Sequence, residues 1–186
     1  MAWSFSQIET LRSGISITIR PVQVTDKDGI ASAFSRLDPE SIYTRFFQAK
    51  VALSDQELKR ATEIDFERVV ALVVTVESEG RETIIAGGRY MAFDSPAGRT
   101  AEVSFLVEED YQGQGIARRI LNHLVGIARE KGVDQFEAEV LPGNTSMRAR
   151  RLVRAGYRIW TQVIPGEITP KNRLLIGAFD QTPVSS

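Results

Sequence analysis

The chain has 186 residues, 42% of them hydrophobic and 25% charged, which suits one globular unit with a real core and excludes a largely disordered protein. Zero cysteine and a single histidine, His123, exclude a disulfide framework, a cysteine nucleophile, a cysteine-based zinc or iron-sulfur site and a multi-histidine metal site. Lys plus Arg is 23 and Asp plus Glu is 24, so the net charge of -1 lacks the basic excess of a nucleic-acid binder.

No G-x-S-x-G elbow is present to supply a serine nucleophile, so acid-base work falls to carboxylates, hydroxyls or water. The start, MAWSFSQIETLRSG, has no basic leader followed by an apolar stretch, and no run of about 18 apolar residues occurs. The expectation is a cytoplasmic protein with no membrane partner.

Residues 15 to 22 (ISITIRPV) alternate apolar and polar side chains and predict a strand, followed from Thr25 and Asp26 by a helix to about Arg36. A second helix is expected from Pro39 to Phe47. Ser54 opens a third, because Ser-Asp-Gln-Glu matches the capping box in which Glu57 reaches back to the cap amide. VVALVVTVE (69 to 77) and TIIAGGRYMAF (83 to 93) predict two strands joined by a turn at Gly80. TAEVSFLV (100 to 107) is the next strand, then a glycine-rich connection and a helix from about Gln114 to Lys131, ended by Gly132. FEAEVL (136 to 141) predicts a strand, Thr145 to Ala155 a helix stopped by Gly156, and YRIWTQV and RLLIGAF two last strands. Strands with crossover helices imply a mixed α/β sheet with at least one parallel step. No repeat or linker divides the chain, so residues 1 to 186 read as a single domain with a polar tail from about 181.

The stretch AEVSFLVEEDYQGQGIARRILNHLVGIARE, residues 101 to 130, carries the chemistry. Gly113 and Gly115 let the backbone approach a ligand closely, and the helix start behind them offers unpaired N–H groups with a favourable dipole, a combination that holds phosphate. Arg118 and Arg119 in the first turn oppose the helix dipole, which fits an anion nearby. A Walker A loop is excluded because no G-K-[ST] follows the glycines, and a dinucleotide G-x-G-x-x-G/A fails because its last position is Arg118. The pattern Q/R-x-x-G-x-G/A is met by Gln112, Gly115 and Ala117.

With IRPVQVTD, SIYTRFF, ALVVTVE, AEVSFLV and DYQGQGIA in that order, the chain resembles the GNAT superfamily of N-acetyltransferases over about residues 17 to 160. Within it, the chain is similar to the catalytic domain of Pat-type bacterial protein lysine acetyltransferases. The resemblance implies an α/β fold whose mixed, mostly antiparallel central sheet has a parallel strand pair around the coenzyme site and is flanked by helices. It implies acetyl-CoA as acyl donor and an amine as acceptor, with a protein lysine favoured. A small-molecule amine acceptor and a non-catalytic acyl-CoA-binding module stand as alternatives.

Carried over by residue, the resemblance assigns the backbone of Phe105, Leu106 and Val107 to the pantetheine arm. The amides of Gly113, Gln114, Gly115, Ile116, Ala117 and Arg118 fall to the pyrophosphate. Asn144 matches the family's asparagine near the coenzyme and reads equally as a helix N-cap. Glu102 aligns with the family's glutamate base in the A-E-x-x-F-x-V context; the other reading is a solvated strand-end carboxylate beside the turn Ser95 to Arg99. Strand alternation puts Glu102, Ser104 and Leu106 on one face and Val103, Phe105 and Val107 on the other.

Glu108, Glu109 and Asp110 read as loop surface, and His123 as a partly buried helix-edge residue. Arg148, Arg150, Arg151 and Arg154 read as a solvated basic face that could also meet the coenzyme's 3'-phosphate, an acidic partner or RNA. Tyr43, Arg45 and Phe46 match the family's Y-x-R-F-F element, which places them on the acceptor side, while Phe46 and Phe47 also read as core. Arg151 and Leu152 stand where many superfamily members place a tyrosine acid, and the leaving thiolate, with an ordinary thiol pKa near 8.5, needs little help, so that water can suffice.

Overall fold

The computed structural model describes residues 5–39, 51–78, 80–96, 98–140, 157–163 and 173–179. The expected helices at Pro39 to Phe47 and Thr145 to Ala155 lie outside these, as do the SIYTRFF element, Asn144, the arginines at 148, 150, 151 and 154, and the polar tail. Among the described residues there are eight strands: β1 (Gln7–Thr10), β2 (Ser16–Pro21), β3 (Val69–Ser78), β4 (Arg81–Ser95), β5 (Gly98–Val107), β6 (Gln135–Val140), β7 (Tyr157–Val163) and β8 (Arg173–Phe179). The described helices are α1 (Lys27–Ser35), α2 (Asp55–Thr62) and α3 (Ile116–Glu130). None of them is long and apolar enough to cross a membrane. The chain divides into two compact units, Met1–Tyr90 with Ser104–Leu124, and Met91–Val103 with Val125–Ser186.

In the first unit the strands follow the order β1-β2-β3-β4-β5. Residues 70–76 of β3 are buried on both faces, as expected of a central strand covered on each side. One face carries α1, where Val22, Ala71, Val73 and Ile84 pack with Ile30, Ala33, Ile64 and Phe66. The start of α1 is tied to β2 by charge: Arg20 donates to both oxygens of Asp26 at 2.8 Å and to Glu82, and Asp26 also accepts from the Gln23 amide at 2.7 Å. Burial alone would raise the Asp26 carboxyl, but the Arg20 and Gln23 hydrogen bonds together hold it below its ordinary value. A short 3-10 turn, Val24–Asp26, therefore precedes the helix expected to begin there. The capping box of α2 is present, with Ser54 accepting from the Glu57 amide and Glu57 accepting from the Ser54 amide.

The opposite face carries the first turns of α3, whose Ile116, Ile120 and Leu124 recur at helical spacing and are fully buried. β1 is absent from the sequence expectations because its residues show no buried alternation; Ile8 is 73% exposed. It exists through its antiparallel ladder with β2, Gln7 to Ile19 through Thr10 to Ser16.

In the second unit the order is β5-β6-β8-β7, with β5 and β6 parallel and the other pairs antiparallel. The parallel ladder joins Thr100 to Gln135, Ala101 to Phe136 and Glu102 to Glu137, and ends there among the described residues. Gly132 closes α3 at φ 69°, with the Val133 amide reaching back to the Ala128 carbonyl at 2.9 Å. Asp134 then starts β6 by accepting from the Arg99 amide and donating its own amide to the Arg99 carbonyl, both at 2.8 Å.

The adjacent glycines of β4 differ in what surrounds them. A Cβ on Gly88 would meet Ile120 at 2.5 Å and Phe105 at 2.7 Å, whereas one on Gly87 meets only the Leu72 carbonyl at 3.4 Å. Gly88→Ala is expected to cost about 1–3 kcal/mol and Gly87→Ala to stay within about 1 kcal/mol of wild type, read by urea denaturation.

Candidate active site

The site is built where β5 ends. Phe105 turns toward Ile120 of α3, while Ser104 and Leu106 line a cavity of about 390 Å³ on the opposite side of the strand, the alternation expected from the sequence. Phe34, Leu37 and Ile84 supply apolar wall, and Gly87 leaves the floor open. Glu108 closes the strand by donating its amide to the Ile85 carbonyl at 2.9 Å. A 3-10 turn, Glu109–Tyr111, follows, and Gln112 folds back to donate its side-chain amide to the Val107 carbonyl at 3.1 Å.

Gly113 and Gly115 both take positive φ, 74° and 86°, and nothing lies within 4 Å of where a Cβ would stand on either. Arg119 makes the first helical bond, its amide to the Gly115 carbonyl at 3.1 Å. The N–H groups of Gly113, Gln114, Gly115, Ile116, Ala117 and Arg118 make no hydrogen bond among the described residues. A run of open amides at a helix start is an anion cradle, and it can hold a pyrophosphate. The loop is held from outside, since Ser13 donates to the Gln114 carboxamide oxygen at 2.6 Å.

Two sequence expectations change here. Arg119 is engaged by protein rather than left for an anion: its guanidinium meets the Glu9 carboxylate and donates to the Thr10 carbonyl at 2.8 Å. Arg118 stays exposed. Glu108, expected on the loop surface, is only 9% exposed and pairs with Arg36, which also donates to the Ile84 carbonyl at 2.8 Å. Its partner lies 72 residues earlier in the chain, a separation that no local pattern reveals. His123 is half-buried as expected, bonded through Nε2 to Glu9 at 2.9 Å and tilted against Phe5 with ring centroids 5.6 Å apart.

Glu102 is half-buried on β5, flanked by buried Ala101 and Val103 and paired in register with Glu137. Sequence reasoning put Glu137 on a strand but not beside the candidate base. Burial, then the charge of Glu102, pushes the Glu137 carboxyl above its ordinary value.

A mixed sheet that delivers a strand end, a glycine turn and an amide-rich helix start beside an apolar cavity defines a protein that holds a phosphate-bearing cofactor. The chain belongs to the GNAT family of acetyltransferases, whose model matches residues 37–157, and members of that family use acetyl-CoA. An acetyltransferase of Pseudomonas aeruginosa is 27% identical over 141 residues, 76% of this chain and 75% of that protein. The acetyltransferase Pat of Mycolicibacterium smegmatis is 31% identical over 138 residues, 74% of this chain but only 40% of that protein. The crystal structure of the GNAT domain of S. lividans PAT superposes with a TM-score of 0.76 at 32% identity, covering 94% of this chain and 96% of that one.

Burial alone would raise the Glu9 carboxyl, but its hydrogen bonds to His123 and Arg119 outweigh it and hold the carboxyl below its ordinary value. The folded state thus binds the Glu9 proton less tightly than the unfolded chain. The stability this gives is present above the unfolded pKa and is lost as pH falls through the folded one. Glu9→Gln is expected to melt below wild type at pH 7, with the gap closing as the pH drops below the carboxylate range; a gap independent of pH would contradict the assignment.

Proposed function

We propose that the protein transfers the acetyl group of acetyl-CoA directly to a protein lysine, with Glu102 as general base. The observation that carries the reading is the open amide run from Gly113 to Arg118 at the end of a strand, with space above both glycines for a close approach. These amides would hold the pyrophosphate. The backbone of Phe105, Leu106 and Val107, where β5 runs on past the end of its parallel ladder, would pair with the pantetheine arm. The likeness to Pat and to the PAT domain supports protein lysine as acceptor.

Bound acetyl-CoA supplies a thioester whose acetyl carbon the amine attacks, the new N–C bond replacing C–S. A lysine ammonium has a pKa near 10.4, so presenting it neutral at pH 7 costs roughly 4–5 kcal/mol. Glu102 takes the proton, directly or through water, an assistance worth about 10² to 10⁴ in rate. The strand amide at Val107 would stabilise the carbonyl oxygen as it gains charge, and Gln112 holds the following peptide through the Val107 carbonyl. Asn144, outside the described residues, would complete the coenzyme contacts if the family resemblance holds there.

The cavity favours a second reading. At about 390 Å³ it falls within the range of small-molecule sites, roughly 300–1,000 Å³, which suits a free amine as acceptor. Thiol release measured with lysine-containing peptides and with a panel of small amines separates the two; tight coenzyme binding with no release in either set points instead to a binding module.

Gly115→Glu, which strains a positive φ and sets a carboxylate against phosphate, is expected to abolish acetyl-CoA binding in calorimetry while the fold is retained; unchanged affinity would overturn the cradle. Glu102→Gln is expected to keep binding and to lose about two or more orders of magnitude in kcat, and near-normal turnover at pH 7 would remove Glu102 as base.

A further inference from the structure

The parallel register sets Glu102 on β5 directly opposite Glu137 on β6. Paired residues of such a ladder project from the same face, and neighbouring strands lie about 4.8 Å apart, so two carboxylates here share one small volume. The preceding same-face pair shows that side chains meet across this ladder: Gln135 donates to the Thr100 hydroxyl at 2.8 Å, and that hydroxyl lies 2.9 Å from the Ser95 hydroxyl of β4. Both glutamates are half-buried, and neither side chain makes a hydrogen bond or ion pair among the described residues.

Among the described residues the surroundings offer no compensating charge. Thr100, Gln135 and Ser95 are neutral, and β8 places Ile176 opposite Glu137 in the ladder. Asp134 is occupied with the Arg99 amide. Glu102 is the charged group that acts on the Glu137 carboxyl, adding to the effect of burial. An unpaired carboxylate with a second one beside it costs stability, so its presence calls for an explanation.

We propose that Glu137 is a positioning residue for Glu102, the two cross-strand carboxylates acting as one base that takes the acceptor amine's proton and shares it across the β5–β6 ladder. The proposal rests on the reading of Glu102 as general base. The amine loses one proton, the pair passes from two negative charges to one, and the proton later leaves to water. Repulsion between the two carboxylates raises the proton affinity of the doubly ionised pair, and a base of higher affinity is better matched to an ammonium.

Glu137→Gln keeps the shape and removes the charge. The stability linked to the raised carboxyl is present below its unfolded pKa and is lost as pH rises through the folded one, leaving a charge that burial and Glu102 disfavour, so this variant is expected to fold at least as stably as wild type at pH 7.

Two measurements on the full chain test the pair. In ¹³C NMR titration of glutamate carboxyls, the Glu137 resonance is expected to titrate at lower pH in Glu102→Gln than in wild type; an unmoved titration would overturn the coupling. In acetyl transfer from acetyl-CoA to a lysine-containing peptide, Glu137→Gln is expected to move the acid limb of the kcat/KM profile to lower pH. It should also lower plateau kcat about threefold to tenfold and leave KM for acetyl-CoA unchanged, with Glu137→Asp restoring the limb. A wild-type limb and kcat in Glu137→Gln, beside an inactive Glu102→Gln, overturns the pair alone. A fully active Glu102→Gln overturns both the base and its partner.

Discussion

A helix start that binds an anion must leave its first amides unpaired, and unpaired amides contribute nothing to holding the helix in place. The rest of the structure around α3 answers that constraint. Ile116, Ile120 and Leu124 bury one stripe of the helix completely, so hydrophobic packing fixes its axis where backbone bonds cannot fix its end. From the exposed side, β1 and its turn hold the same segment: Glu9 joins Arg119 and His123, Thr10 accepts from Arg119, and Ser13 holds Gln114. Arg119 is poorly placed with respect to the helix dipole, and Glu9 offsets that cost, so the cradle is left with open amides rather than a competing internal ligand.

The same economy of charge governs the cavity side. Glu108 sits almost buried because Arg36 meets it, and Arg36 spends its remaining donors on Ser32 and on the Ile84 carbonyl of the sheet. Two elements far apart in the chain, the end of α1 and the end of β5, are thereby joined at the cavity wall. Gly87 and Gly88 divide the labour on the neighbouring strand: one opens the cavity floor and the other admits Phe105 and Ile120 on the opposite face. The cavity thus combines apolar walls with one buried, compensated carboxylate.

The composition leaves acid-base work to carboxylates, hydroxyls or water. The chain has no cysteine, and its one histidine is engaged by Glu9 and Phe5 beside the helix. Among the carboxylates, Asp26 and Glu9 have cationic partners and are held below their ordinary values, which is the behaviour of structural ion pairs. Glu137 goes the other way, and the group beside it is the glutamate that the family resemblance singles out. Opposite directions of shift separate Asp26 and Glu9, which hold the fold through ion pairs, from Glu137, which has no cationic partner among the described residues.

The strands 69–77, 83–93 and 100–107 and the helix following Gly115 were legible because their apolar residues recur at the strand or helix period, and the cradle was legible because only glycine suits its positive φ. The amino-acid sequence by itself thus determined the order of elements, the anion-binding turn and the candidate base, all of which depend on residues near one another in the chain. β1, the burial of Glu108, the engagement of Arg119 and the pairing of Glu102 with Glu137 were decided only by the tertiary structure. Each depends on a partner brought from a distant segment, and strand periodicity states which face a side chain occupies but not which strand lies beside it.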